Sequence, residues 1–167
     1  MKIIAVFLLL LLSNFAVQAQ EKHLNKKKVS SVIISYIKSQ YLSASNIRFY
    51  QEKVNDSLFV ESTFKFQEDR YSLKFYRDSL IEVEVLVRFK ELPEVIQRSI
   101  TQYLDEHYKK YKVLECLEIN PKKKPLYEIN IKGKGEKSEG DFELLFDKQG
   151  HFIRNAEIIS QPIPSLF

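Results

Sequence analysis

Few residues in this 167-residue chain have types and spacing suited to chemistry. Its one cysteine, Cys116, stands in YKVLECLEI, a strand-like run with no histidine nearby. A nucleophilic thiol needs a base or positive charge beside it to form the thiolate. Cys116 therefore reads as a small buried apolar residue. The three histidines, His23, His107 and His151, are far apart. His107 has no second histidine at helical ligand spacing, which excludes a zinc-peptidase helix. There is no Gly-x-Ser-x-Gly nucleophile turn. Glu82 and Glu84 share one strand face, whereas an acid–base couple wants two environments that push its pKa values apart. They read as solvated charges. The stretch KGKGEKSEG, residues 132–140, lacks the spacing and the terminal Lys-Ser/Thr of a phosphate loop and reads as a hairpin connection. No catalytic residue, metal-ligand set or cofactor motif emerges, so the chain is expected not to be an enzyme.

Lysine clusters remain. Lys26, Lys27 and Lys28 precede the first helix, and Lys122, Lys123 and Lys124 stand between Pro121 and Pro125 in a loop. Lysines at sheet edges discourage unwanted strand pairing; they also attract an acidic partner or an anionic envelope surface. Both readings stay open.

The N-terminus belongs to processing rather than to the fold. Lys2, an apolar run over residues 3–12 and Val17-Gln18-Ala19 have the three-part form of a secretory signal peptide, residues 1–19, with cleavage between Ala19 and Gln20. The apolar run is half of what a spanning helix needs, about 20 residues. The mature chain is expected to be periplasmic or secreted, without a membrane span. One cysteine permits no internal disulfide, although small exported domains often carry them. The formal net charge of +4 falls to about +3 without Lys2. Nucleic-acid binding wants a concentrated basic stripe, so it is not expected.

The elements follow from periodicity. Val29, Val32, Ile33, Tyr36, Ile37 and Tyr41 recur at helical spacing. Four strand-like runs follow, the last being LIEVEVLVRF, in which Ile81, Val83, Val85, Val87 and Phe89 face one way and Glu82, Glu84 and Arg88 the other. Leu92-Pro93-Glu94 then opens a second helix striped by Ile96, Ile100, Tyr103, Leu104 and Tyr108, and four more strand-like runs complete the chain. Within GDFELLFDKQGHFIRNAEI, Asp147 to Gly150 is a hairpin turn, with Gly150 supplying positive φ. Tyr41 matches Tyr108 and Phe75 matches Phe146, an internal period of about seventy residues. The expected class is α+β: two tandem modules, residues 20–90 and 91–167, each a helix plus a four-stranded antiparallel sheet, with the helices on one face.

Leu92-Pro93 opening a helix that closes on Tyr108, Tyr127 to Ile129, the joining stretch VRFKELP (residues 87–93) and FELLFDKQGHFI (residues 142–153) together resemble the PepSY-like, beta-lactamase-inhibitor-like families of exported bacterial proteins. The resemblance implies an exported, non-enzymatic module, and some relatives restrain enzymes. This chain lacks the paired cysteines and the tryptophan of the inhibitory protein, so no inhibitory residue is carried over.

Period two also selects a binding face. With Phe49, Val60, Phe64, Leu73, Phe75 and Val85 inward, it sends Arg48, Tyr50, Phe59, Lys65, Tyr76, Leu86 and Arg88 outward. Aromatic and arginine side chains supply most interface hot spots. Tyr50, Phe59, Lys65, Tyr76 and Arg88 are the candidate contacts for another protein of the envelope or exterior, which the chain binds and restrains. The alternative is a small ligand or envelope component held by the lysine-rich loops.

Overall fold

A computed structural model of the chain describes residues 22–158, apart from 55, 136 and 137. The expected signal peptide, residues 1–19, and the expected cleavage between Ala19 and Gln20 lie outside the described residues. In chain order the elements are β1 (Lys22–His23), α1 (Ser31–Gln40), β2 (Ser45–Val54), β3 (Ser57–Phe66), β4 (Asp69–Tyr76), β5 (Ser79–Leu86), α2 (Glu94–His107), β6 (Lys110–Ile119), β7 (Leu126–Lys134), β8 (Glu139–Phe146) and β9 (Phe152–Ile158).

The expected pair of α+β modules is not what forms. The strands make one nine-stranded antiparallel sheet in simple sequence order, β1 to β9, and strand dominates over the two α-helices. The sheet is continuous because β6 returns antiparallel beside β5, pairing Glu84 with Ile119, Val85 with Glu118 and Leu86 with Leu117. Two separate sheets would each have left a bare edge of unpaired backbone groups there. Asn120 locks the join: its backbone N–H donates to the Val83 carbonyl at 2.7 Å, and its Oδ1 accepts from the Val83 N–H at 3.2 Å. The boundary expected at residues 90 and 91 falls inside a 3-10 turn, Phe89–Glu91.

Each helix forms where capping and an apolar stripe coincide. The Ser30 hydroxyl accepts from the Val32 N–H at the start of α1. Pro93, which has no N–H to leave unsatisfied, stands directly before α2. The first helix buries Ile33 and Ile37, with Val29 ahead of them, against Phe49, Phe64, Leu73 and Phe75. Val32 lies off that stripe and is exposed. The second helix buries Ile96, Ile100 and Leu104 against Ile129, Ile131, Phe142, Leu144 and Phe146. Each such side chain contributes about 1.5–3 kcal/mol by leaving water. Tyr71 pairs with Val85, Val85 with Glu118 and Glu118 with Tyr127, so both apolar clusters occupy the same face of the sheet.

Local irregularities set the register. The β4–β5 turn takes positive φ at Arg77 and Asp78, as a two-residue hairpin requires, rather than at Ser79. A slip after Lys74 pairs Phe75 with Leu80 instead of Ile81. Ile81, expected inward by strict alternation, is therefore 38% exposed, and Leu80 packs on the core in its place. In the closing hairpin Asp147 Oδ1 accepts from the Gln149 and His151 N–H groups at 2.8 and 2.9 Å. Gly150 has φ +81°, and Ser99 on α2 donates its hydroxyl to the Gly150 carbonyl at 2.9 Å. The turn is thereby docked on α2.

Candidate binding face

The face opposite the helices is uncovered by any described element. Cross-strand pairing arranges its side chains in rows. One row runs His23, Tyr50, Glu61, Lys74, Glu82; the next, Arg48, Thr63, Ser72, Glu84, Ile119, Leu126. A third crosses most of the sheet as Lys65, Arg70, Leu86, Leu117, Glu128, Leu145, Arg154. A depression of about 670 Å³ spans five strands, with Arg48, Glu61, Arg70, Glu84, Leu86 and Leu117 among its lining.

Of the five predicted contacts, two meet and a third stands in the next row of the same face. Phe59 and Tyr76 are direct cross-strand partners with ring centroids 5.2 Å apart, and Tyr50 stands on β2 with His23 edge-on at 5.7 Å. Lys74 Nζ lies 5.6 Å over the Phe59 ring and Arg77 caps the Tyr76 ring at 5.1 Å. Lys65 is on the same face, but six residues further along β3 from Phe59, roughly 20 Å at the strand rise. Arg88 is not on the sheet. It precedes the 3-10 turn after β5, pairs with Glu91 and is 71% exposed. The loop lysines Lys122, Lys123 and Lys124 are exposed between β6 and β7, and Lys26, Lys27 and Lys28 form an exposed 3-10 turn before α1.

Beyond Lys74 begins a group of carboxylates that includes Glu82 and Glu84, the two expected to be solvated charges. Glu84 is pushed up to about 8 by burial and by the charges of Glu82, Glu128 and Glu61, against the pull of Lys74. Glu128 is pushed up to about 7 by burial and by Glu143, with Asn130 and Arg154 acting the other way. Burial raises Glu82 as well, and Lys74 offsets part of this. Two cations serve the cluster. Lys74 Nζ meets Glu52 at 2.6 Å, and Arg154 meets Glu143 at 3.1 Å. For Lys74, burial acts downward, but the hydrogen bond and charge of Glu52, with Glu82 and Glu61, prevail and hold the ammonium above its ordinary value. Asn130 Nδ2 reaches Glu115 and Glu128 at 3.4 Å each, while its buried Oδ1 has no partner among the described residues.

This cluster was missed because only the continuous sheet brings β5 beside β6 and β7. The available signal was the glutamates inside two alternating runs, Glu82 and Glu84 in LIEVEV and Glu128 in LYEINI, whose outward faces merge once the strands share a sheet. Cys116, in contrast, behaves as read: it is 2% exposed, and burial, with Glu118 and Glu115 nearby, pushes its thiol up to about 12. Such a thiol is a poor nucleophile. Among the described residues no group of histidine, cysteine and carboxylate side chains is arranged to hold a metal ion, and no helix is long and apolar enough to cross a membrane.

No protein-family model matches the chain, and no curated protein matches it. Solved structures do. The chain is similar to a BLIP-like protein from Bacteroides fragilis, with 12% identity and a TM-score of 0.60 over 80% of this chain and 89% of that one. It is similar to a DUF2874 family protein from Bacteroides uniformis, with 13% identity and a TM-score of 0.61 over 78% and 90%. A candidate periplasmic protein from Bacteroides eggerthii gives 14% identity and a TM-score of 0.62 over 78% and 89%. At such identities the likeness is one of fold: the chain has the fold of the BLIP-like structures. These neighbours lend no support to the PepSY-like side of the resemblance or to two tandem modules.

Proposed function

We propose that the protein is an exported, non-catalytic binding module that recognises another protein of the cell envelope or exterior with the open face of its sheet, and that it restrains an enzyme by covering it. The observation that carries this reading is an open face on which the aromatic side chains Tyr50, Phe59 and Tyr76 are joined through Lys74 to a line of carboxylates running from Glu82 and Glu84 to Glu128. Nine strands about 4.8 Å apart make a face roughly 40 Å wide, ample for the ~800 Å² that a stable interface takes from each partner. Large flat aromatics are the usual anchors of such interfaces.

Charge narrows the partner. Glu82, Glu84 and Glu128 are held partly against ionisation, and Asn130 Oδ1 lacks a donor among the described residues. A lysine or arginine from a partner supplies both positive charge and N–H donors at this point. The fold shared with a BLIP-like protein and with a candidate periplasmic protein supports the class and the location. A photo-crosslinking residue at Phe59, compared with one at exposed Val95 on the outer side of α2, tests the reading in the native envelope. Discrete protein adducts from position 59 alone are expected; adducts from 95 alone would move the interface to the helices.

A further inference from the structure

A second charged feature lies away from the aromatic platform, where β6, β7 and β8 run out beyond the acidic rows. Lys110 pairs directly with Lys134 and Lys112 with Lys132. All four are exposed, and Lys109 adjoins them. Like charges directly opposite each other across antiparallel strands are destabilising, and this register places two such pairs in succession. Lysines at a bare strand edge discourage pairing with other chains, which accounts for Lys110 and Lys112, because β5 pairs with β6 only from Leu117 to Ile119. On β7, between β6 and β8, each lysine also faces a carboxylate, Lys132 opposite Asp141 and Lys134 opposite Glu139, so the lysines outnumber the acids here without being unopposed.

The five lysines surround a depression of about 470 Å³, lined also by Tyr111, Gly133 and Glu139. The frame is firm. Tyr111 donates its hydroxyl to Asp105 on α2 at 2.8 Å, and the Lys109 N–H donates to the Lys134 carbonyl at 2.9 Å. Beneath it, Gly133 leaves room for the Tyr108 ring, whose Cδ1 would be 3.0 Å from a Cβ there. Two carboxylates stand at the β8 rim. Glu139 lies 3.9 Å from Lys134 Nζ, and Asp141 is opposite Lys132. Pairing and strand rise place the four paired lysines at the corners of a rectangle roughly 5 by 7 Å. Their ammonium groups act within one screening length, about 10 Å at 0.1 M salt.

We propose that this depression binds a soluble ligand carrying two or more phosphate groups. Lysine serves phosphate as a compact point charge with three donors, and a compact oligophosphate relieves both lysine pairs at once. The depression favours such a ligand over an anionic bilayer, because a flat surface would press on Glu139 and Asp141 together with the lysines. The site lies on the same open face of the sheet, at the far end of β6 and β7 from the aromatic platform, and does not rest on the protein-binding reading.

The test is calorimetric titration of the purified protein with inorganic tripolyphosphate at about 50 and 200 mM salt. Saturable one-to-one binding that weakens at the higher salt is expected. Lys112→Glu with Lys132→Glu should weaken it by at least tenfold, and Lys112→Arg with Lys132→Arg should retain it. Glu139→Gln should tighten it several-fold, a gain that misfolding cannot mimic. Lys122→Glu with Lys124→Glu, in the separate loop, should change nothing. Equal weakening by either charge-reversed pair would show diffuse attraction and overturn the site. So would binding to phosphatidylglycerol vesicles without measurable tripolyphosphate binding, or no binding to either.

Discussion

Replacing Glu84 by Gln should stabilise the protein at neutral pH and do nothing in mild acid. The Glu84 carboxyl lies at about 8 in the folded chain against an ordinary 4.5. Between those values the folded chain holds a proton that the unfolded chain releases, so stability falls as pH rises through that window. At about pH 7 the gap from 4.5 is roughly 2.5 pH steps, and at ~1.4 kcal/mol each this sets a ceiling of about 3.5 kcal/mol. Coupling to Glu82, Glu128 and Glu61, with some solvent screening, brings the expected gain to about 1–3 kcal/mol. Glutamine keeps the shape and gives up only the titration. For a domain of this size a gain of that order raises Tm by about 3–8 °C. Thermal unfolding followed by circular dichroism at about pH 4.5 and pH 7 reads it directly. The wild type should lose stability between the two, and the variant should lose less. A variant no more stable than wild type at the higher pH, or equally stabilised at both, would refute the reasoning that burial and like charge hold this carboxyl up.

Other consequences follow from packing and backbone. Gly150→Ala should cost about 1–3 kcal/mol. Its φ of +81° disfavours a side chain, and a Cβ would stand 3.0 Å from Ser99 Cβ and 3.2 Å from the Ile96 carbonyl oxygen; chemical denaturation measures the loss, and a neutral result would mean the turn is free to leave α2. Cys116 should resist thiol reagents in the native protein and react at once in denaturant, because it is 2% exposed with its thiol pushed up to about 12; rapid native labelling would show that β6 opens. Phe75→Ala should destabilise by about 3–5 kcal/mol, since that ring is 1% exposed beneath α1; a loss below about 1 kcal/mol would place α1 elsewhere.

Much of the local structure is legible in the residue pattern, and its joining is not. Helical spacing identifies α1 and α2, and the Asp147 to Gly150 turn is where its residue types require it. Alternation places Phe49, Phe64, Leu73, Phe75 and Val85 inward, and all are buried. It fails at Ile81, because a register slip is a property of two strands and leaves no mark on one. The single sheet escaped for a similar reason. The β5–β6 join uses three residue pairs separated by the whole of α2, and period-two reading cannot tell an edge strand from its neighbour. On the open face, alternation brings Tyr50, Phe59 and Tyr76 outward, and pairing of β2, β3 and β4 gathers them. Lys65 and Arg88 share that parity but not that position: direction alternates within a strand, while distance accumulates along it. The carboxylate group depends on β5, β6 and β7 lying side by side, so no reading of single strands finds it.

The central claim is that the open face binds a protein partner, and one affinity comparison tests it most directly. Envelope proteins retained by the immobilised wild type are identified, and the Kd of the purified partner is measured against wild type, Tyr50→Ala with Tyr76→Ala, and Lys122→Glu with Lys124→Glu. Two hot-spot aromatics at about 1–2 kcal/mol each predict a loss of roughly 30- to 1,000-fold in the tyrosine variant, with the Tm of both variants within a few degrees of wild type and the lysine variant binding normally. An unchanged Kd in a folded tyrosine variant would contradict the account, and a loss confined to the lysine variant would assign the contact to the loop between β6 and β7.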